Sequence, residues 1–264
     1  MIVHGLTAFN DNYIWLIEQP QHIWVVDPGE AQPVLDWLSQ QQRNLSGILI
    51  THHHNDHIAG VDQLLAHFPD AAVYAPSSLQ KTPVTQGLSD GDTIPIGQEN
   101  LRVIATPGHT LDHLCFVGQD ALFCGDTLFT GGCGRVFEGT ADQMAASLAR
   151  LRNLAPNLTV YCGHEYSLAN LNFAILVEPN NQLLTERRIQ VNHAYKQQQP
   201  IKPNTLQLEL DTNPFLRTDK PAIAATIAKR LNTSYQETTI GQQFACLRNW
   251  KDELDATGVL EKPF

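Results

Sequence analysis

Residues 51–57 read Thr-His-His-His-Asn-Asp-His, which puts four histidines and one aspartate in seven positions. Imidazole and carboxylate together suit zinc, iron or manganese. A surface loop has no structural need for so many imidazoles. The useful pattern is His-x-His-x-Asp-His: His52, His54, Asp56 and His57. In an extended segment residues two apart point the same way. Alternation therefore predicts His52, His54 and Asp56 on one side, with His53 and Asn55 on the other. His57 is expected to open a helix, because Ile58, Val61, Leu64, Leu65 and Phe68 follow at helical spacing before Pro69. Ligands that diverge from an extended stretch and from a helix start can feed two neighbouring metals.

Two short-spaced histidines do not complete a catalytic site, so distant ligands are required. Val103-Ile104-Ala105-Thr106 leads into Pro107-Gly108-His109-Thr110. Ala121-Leu122-Phe123-Cys124 leads into Gly125-Asp126-Thr127. Leu158-Thr159-Val160-Tyr161-Cys162 leads into Gly163-His164-Glu165. Each has a strand-like run, then a glycine, then a ligand-type residue. Glycine permits tight turns and close backbone approach, which suits presenting a side chain at the rim of a sheet. His109, Asp126 and His164 are therefore the distant candidates. His4, His22, His53, His67, His113 and His193 lack this setting and are read as solvent-facing or hydrogen-bonded structural residues.

The elements that must carry these loops are legible in outline. Short apolar or alternating runs predict strands at Ile2–Leu6, Tyr13–Ile17, Ile23–Asp27, Gly47–Thr51, Ala72–Ala75, Leu101–Thr106, His113–Val117, Ala121–Cys124 and Thr159–Cys162. Helices are expected at Ala31–Gln42, Ile58–Phe68 and Ala141–Leu154, the last capped by Thr140. After about residue 170 the strand signal fades. Helices are expected at Asn181–Gln199, at Pro221–Leu231 with proline near its start, and at Phe244–Leu254. The fold class is α/β: two packed sheets with helices outside over 1–170, followed by a small helical segment over 171–264.

The set Thr51-His52-His53-His54-Asn55-Asp56-His57, Gly108-His109, Gly125-Asp126 and Gly163-His164, with Asp27-Pro28-Gly29 before it, resembles the metallo-β-lactamase superfamily. The resemblance implies an αββα sandwich and two metal sites. The first is His52, His54 and His109; the second is Asp56, His57 and His164. Asp126 bridges the two metals together with a water or hydroxide. Asp27 is implied as a support beneath the ligand loop, orienting imidazoles. A narrower resemblance covers nearly the whole chain. Gly125-Asp126-Thr127-Leu128-Phe129, Gly132-Cys133-Gly134-Arg135, Phe137-Glu138-Gly139-Thr140, Gly163-His164-Glu165-Tyr166, Asn213-Pro214-Phe215-Leu216-Arg217 and Arg248-Asn249-Trp250-Lys251-Asp252 are similar to the glyoxalase II (hydroxyacylglutathione hydrolase) family.

That family resemblance implies hydrolysis of S-D-lactoylglutathione to glutathione and D-lactate, the second step of methylglyoxal detoxification. The nucleophile implied is the metal-bridging hydroxide, with Asp56, His57 and Asp126 as the catalytic ligands. Two divalent ions per chain are implied, zinc first, with iron or manganese also accepted by such ligands. Arg135, Phe137, Tyr166, Arg248 and Lys251 are the implied substrate-binding residues. Arg135 stands where relatives often have lysine, and Phe137 where some have tyrosine, so one hydroxyl contact is missing. The alternative on the same fold is a glutathione persulfide dioxygenase holding a single iron with two histidines and one aspartate. A β-lactam hydrolase, a non-catalytic binding protein and a nucleic-acid-processing relative fit less well.

Composition narrows the setting. The chain has 264 residues and a net charge of −10, which disfavours nucleic acid as a partner. Arg135, Arg248 and Lys251 leave room for a local basic patch and a small anionic substrate. Apolar runs fall short of the ~20 residues that cross a bilayer. Met1-Ile2-Val3-His4 has no secretory pattern, so no membrane partner is expected. The five cysteines, Cys115, Cys124, Cys133, Cys162 and Cys246, are odd in number, without a Cys-x-x-Cys pair. Reduced thiols and a cytoplasmic, monomeric protein are expected.

Overall fold

A computed structural model describes residues 1–261; the last three residues of the expected C-terminal segment lie outside the described residues. Strands β1 (Ile2–Ala8), β2 (Asn12–Glu18), β3 (Ile23–Val26), β4 (Gly47–Leu49), β5 (Ala72–Pro76) and β6 (Gln86–Leu88) form a six-stranded sheet in that order. Its first three strands pair antiparallel and the rest parallel. The next strands are β7 (Thr93–Ile96), β8 (Glu99–Ala105), β9 (Leu114–Val117), β10 (Ala121–Gly125), the small hairpin β11 (Leu128–Phe129) and β12 (Gly132–Cys133), β13 (Thr159–Cys162) and β14 (Asn204–Thr205). All but the hairpin build a second six-stranded sheet, ordered β14-β13-β10-β9-β8-β7.

The layer order follows from strand alternation, since successive side chains face opposite sides of a sheet. On β2, Ile14 and Leu16 join one core cluster, whereas Trp15 and Ile17 join another. On β10, Ala121 and Phe123 enter the cluster that holds Trp15 and Ile17, while Leu122 and Cys124 enter a third. The shared cluster lies between the sheets. The outer face of the first sheet packs on helices α1 (Gln32–Gln41) and α3 (Val61–His67), through Val34, Leu38, Val61 and Leu64. The short helix α2 (Asn55–Ile58) precedes α3. The outer face of the second sheet packs on α4 (Ala141–Arg152) through Met144, Leu148 and Leu151. This is the αββα sandwich.

The C-terminal part is helical: α5 (Ser167–Val177), α6 (Gln182–Lys196), α7 (Leu206–Thr212), α8 (Pro221–Leu231) and α9 (Ile240–Asp255). Phe215, Ile223, Ile227, Phe244 and Leu247 share a cluster with α4 and the second sheet. The helices are thereby seated on the sandwich at the edge where β13 ends. Thr140 caps α4 with a full capping box, and Thr239 does the same for α9, each satisfying otherwise orphaned N–H groups. No helix among the described residues is long and apolar enough to cross a membrane.

Several expectations shift. The helix expected at Ile58–Phe68 is two pieces, broken at Gly60. A Cβ there would sit 2.6 Å from both Ala31 N and Pro28 O, so the chain pinches against the 28–31 loop. Asp56 is not in an extended stretch: His54 is extended, and Asn55–Ile58 already turns as helix. Asp56 and His57 therefore leave together from α2. Helix α9 starts at Ile240, four residues before the expected Phe244. Residue 170, where the division was expected, falls inside α5.

Candidate metal centre

The loops that follow β3, β4, β8, β10 and β13 converge on one edge of the sandwich. Strands β8, β10 and β13 run in the same direction, as do β3 and β4, so their C-terminal ends coincide. Two cross-sheet bonds fix the edges: Tyr13 N donates to Gly163 O at 2.8 Å, and Trp15 Nε1 donates to Cys162 O at 2.8 Å. Gly163 must be glycine for a packing reason. An added Cβ would lie 2.3 Å from Asp126 Oδ1 and 2.9 Å from His57 Cε1. Gly125, at φ +45°, turns the chain so that Asp126 follows.

The seven predicted ligand residues meet as two neighbouring sets. In the first, His52 Nε2 and His109 Nε2 each lie 3.0 Å from His54 Nδ1. His109 donates its Nδ1–H to Arg135 O at 2.8 Å, which leaves Nε2 as the lone-pair nitrogen facing inward. In the second, His57 Nε2 and His164 Nε2 lie 3.3 Å apart, and Asp56 Oδ2 is 3.5 and 3.4 Å from them. Asp126 touches both sets. Its Oδ2 is 3.3 Å from His109 Nε2 and 3.2 Å from His164 Nε2; its Oδ1 is 3.5 Å from His57 Nε2.

The donor set fits divalent metal. His52, His54, His109 and Asp126 place four donor atoms in one small space, and Asp56, His57 and His164 place three in another. The inward nitrogens face each other rather than donors or acceptors of ordinary structure. Asp126 Oδ1 is buried and has no hydrogen-bond partner among the described residues, a condition that protein interiors avoid.

The two sets differ electrically. Burial holds His52 well below the usual histidine range, and burial with neighbouring imidazoles also lowers His54 and His109. These three are neutral, as ligation requires. In the second set burial again opposes charge, but carboxylates overcome it. Asp126 and Asp27 push His57 well above its usual value, and Asp126 and Asp56 lift His164 to about 10. Burial works against ionisation of Asp126 and Asp56. His57 and His164 nevertheless hold both carboxyls below the ordinary range.

A second layer of polar residues orients the ligands. Asp27, itself at φ +51°, accepts from Thr51 N and Thr51 Oγ1, both at 2.7 Å, and from His57 Nδ1 at 3.0 Å. Asp11 accepts from His164 Nδ1 at 2.9 Å, and Asn12 donates to Asp56 Oδ2 at 3.0 Å. Neither was legible as a site residue; the signal available was only their place where the β1–β2 turn runs into β2. His113 is structural: it is fully buried, and its Nε2 accepts from Asp126 N at 3.0 Å. His53 faces away from the centre, between Asp112 and Glu138 at 2.9 and 3.0 Å.

The five predicted substrate-binding residues also gather here. A cleft of about 480 Å³ is lined by His54, Asp56, His109, Asp126 and His164 together with Arg135, Phe137, Tyr166, Arg248 and Lys251. The Tyr166 ring stacks on His164, with centroids 4.9 Å apart and planes 2° from parallel. Phe137 stands edge-on to His54 and His109. The expected basic patch is not bare. Arg248 and Lys251 are buried; Arg248 is paired with the carboxylates of Asp252 and Asp255, and Lys251 with that of Asp255. Pairing offsets the cost of burying two cations. The Asn213–Arg217 stretch does not reach the cleft. Asn213 is buried and donates to Phe129 O at 3.2 Å and Gly132 O at 2.9 Å, holding the β11–β12 hairpin.

Comparison with known proteins agrees with this geometry. Residues 8–164 match the model of the metallo-beta-lactamase superfamily, and residues 165–254 match that of the hydroxyacylglutathione hydrolase C-terminus. A hydroxyacylglutathione hydrolase of Hydrogenovibrio crunogenus is 42% identical over 99% of this chain and 98% of the relative. One from Vibrio cholerae is 46% identical over 95% of this chain and 98% of the relative. Among solved structures, ETHE1 from Myxococcus xanthus shares the fold, with a TM-score of 0.65 at 22% identity over 95% of this chain and 91% of that one. Matched along nearly its whole length by such relatives, the chain belongs to the hydroxyacylglutathione hydrolase family, within the metallo-β-lactamase superfamily.

Proposed function

We propose that the chain hydrolyses the thioester S-D-lactoylglutathione, giving glutathione and D-lactate. His52, His54 and His109 would hold one divalent ion, Asp56, His57 and His164 a second, and Asp126 would be within reach of either. Zinc is the ion proposed, with iron or manganese as alternatives the same ligands accept. The observation that carries the reading is a single cleft lined by residues of both donor sets, His54, His109, Asp56 and His164, and by three cationic side chains, Arg135, Arg248 and Lys251.

Bound metal would supply water with a pKa near 7 and a Lewis acid for the carbonyl oxygen. The chain's residues do the rest. Arg135, Arg248 and Lys251 bind a carboxylate of the glutathionyl group through charge-assisted bonds. Tyr166, stacked on His164, and Phe137, edge-on to His54 and His109, flank the acyl end. Asp27, Asp11 and Arg135 O keep His57, His164 and His109 each in one tautomer. Water adds to the carbonyl carbon and the C–S bond breaks. The sulfur leaves as a thiolate with a pKa of roughly 8.5, so it needs little proton donation. Buried Cys133 is no nucleophile: burial pushes its thiol up to about 11, against the pull of Arg248. The division into a metal-binding part over 1–170 and a substrate-binding helical part over 171–264 belongs to the same proposal. So do a monomeric state and a reducing, cytoplasmic setting for the five buried thiols.

The test is loss of thioester absorbance from S-D-lactoylglutathione with purified protein, with and without a chelator. Hydrolysis that stops on chelation and returns with added divalent metal is expected. Protein with two ions per chain that leaves the thioester intact would exclude the reading. One iron per chain with oxygen consumption would favour persulfide oxidation.

A further inference from the structure

The cations that line the cleft already face an anion. Asp255, the last residue of α9, receives Lys251 Nζ at 2.9 Å on both oxygens. Its Oδ2 also accepts from Arg248 Nη2 at 3.3 Å and lies 3.7 Å from Arg135 Nη2. One carboxylate thus meets all three cationic side chains assigned to substrate. Asp252 takes what remains, accepting from Arg248 Nη2 at 2.9 Å and lying 3.4 Å from Arg135 Nε. Asp255 lines the cleft and Asp252 does not.

The arrangement is not saturated. Three cations face two carboxylates, and Arg248 Nε is buried without a partner among the described residues. A buried guanidinium N–H without an acceptor is a standing cost, and an incoming carboxylate relieves it. Arg248 and Lys251 are only 4% and 5% exposed, so leaving them unpaired in the free protein would be costly too. Asp255 meets that need from inside the chain.

We propose that Asp255 is a specificity-determining residue that competes with the substrate's carboxylate for Arg135, Arg248 and Lys251. The proposal deepens the thioesterase reading and rests on it. In the free protein Asp255 occupies the anion subsite. A glutathionyl carboxylate enters by sharing or displacing it, and Asp255 takes the cations back as glutathione leaves. Affinity for the anionic end is thereby held below what three cations alone would give, which suits turnover over retention of product.

The test uses full-length, metal-loaded protein and its Asp255→Asn variant, with Asp255→Ser as a second variant should the first fail to fold. Calorimetry measures the Kd of S-methylglutathione, a thioether the enzyme does not cleave, and steady-state rates give KM for S-D-lactoylglutathione. Kd and KM should both fall about three- to tenfold, a gain that largely persists in added salt because Arg248 and Lys251 are buried and buried pairs are screened little. The doubly esterified S-methylglutathione, which lacks both carboxylates, should gain nothing. Equal or weaker binding by the variants, with wild type binding and hydrolysing normally, would overturn this inference and leave the thioesterase reading standing. Wild type that neither binds nor hydrolyses would overturn both.

Discussion

Asp27 Oδ2 lies 3.0 Å from His57 Nδ1, across thirty residues of chain, and the same carboxylate holds Thr51 at the root of the ligand loop. The contact joins the end of β3 to the end of β4 and sets the ring of a second-set histidine. Asp27 does this from a left-handed backbone conformation at φ +51°, which is strained for a residue with a Cβ. Strain of this kind persists where surrounding structure over-determines it, typically at functional sites.

Asp27→Ala should therefore damage metal binding more than folding. It removes the acceptor that fixes the His57 tautomer, and such orienting partners are typically worth about 10–100-fold in metal affinity. It also leaves Thr51 N unsatisfied, at about 1–3 kcal/mol. Metal titration followed by elemental analysis should show the second ion lost at concentrations where the first is kept. Unchanged occupancy of both would remove Asp27 from the site.

Metal binding should release protons. Without metal, His57 is held well above its usual range and His164 near 10 by the carboxylates around them, so both are cationic at pH 7. Each must deprotonate to ligate. Adding metal to chelator-stripped protein in weak buffer at neutral pH should release about two protons per chain. Affinity at the second set should rise with pH until His164 titrates near 10. In the stripped protein the raised pKa values stabilise the fold fully below the histidine value of 6.5, and that stability fades as pH climbs through 10.

The seven residues that converge on the candidate centre were readable because their signal is local. Each sits one residue past a glycine at the end of an apolar run, or in a seven-residue cluster without structural purpose. Asp11 and Asn12 were not readable, since an Asp-Asn turn is ordinary until His164 and Asp56 arrive from 153 and 44 residues away. The same limit hid Asp255: it lies just past the expected helix at Phe244–Leu254, and nothing local shows that its carboxylate would meet Lys251 and Arg135. Elements were missed for separate reasons. Strand β7 contains Pro95, which reads as a break, yet β7 is an edge strand where proline is tolerated. Helix α5 is apolar nearly all round and buried, so no 3.6-residue period marks it.

The β11–β12 hairpin depends on a buried ion pair. Arg187 and Glu209 are 3% and 1% exposed and bonded to each other; Glu209 Oε2 also accepts from Gly131 N at 2.8 Å and Asn213 Nδ2 at 3.1 Å. Glu209→Gln leaves Arg187 charged and uncompensated. The expected cost is about 3–5 kcal/mol, or roughly 6–15 °C in Tm for a chain of this size. Scanning calorimetry decides it; a shift near zero would mean that the pair does not hold the hairpin.

The five cysteines should limit alkaline stability. All are buried and unpaired. Burial raises Cys115 and Cys162 to about 12 and Cys133 to about 11, from an ordinary value of 9.0. Between pH 9 and 11 these thiols keep their protons when folded and lose them when unfolded, so the folded chain binds more protons. Stability must then fall with rising pH. Urea midpoints should be level below pH 9 on this account and decline above it. Replacing Cys115 by alanine should flatten part of that decline while costing some packing at lower pH. Iodoacetamide at pH 8 should leave the native thiols unmodified and label all five in denaturant, because the thiolate is the reactive form. Rapid labelling of Cys133 in the native protein would show a reactive thiol in the cleft and would reopen its exclusion as a nucleophile.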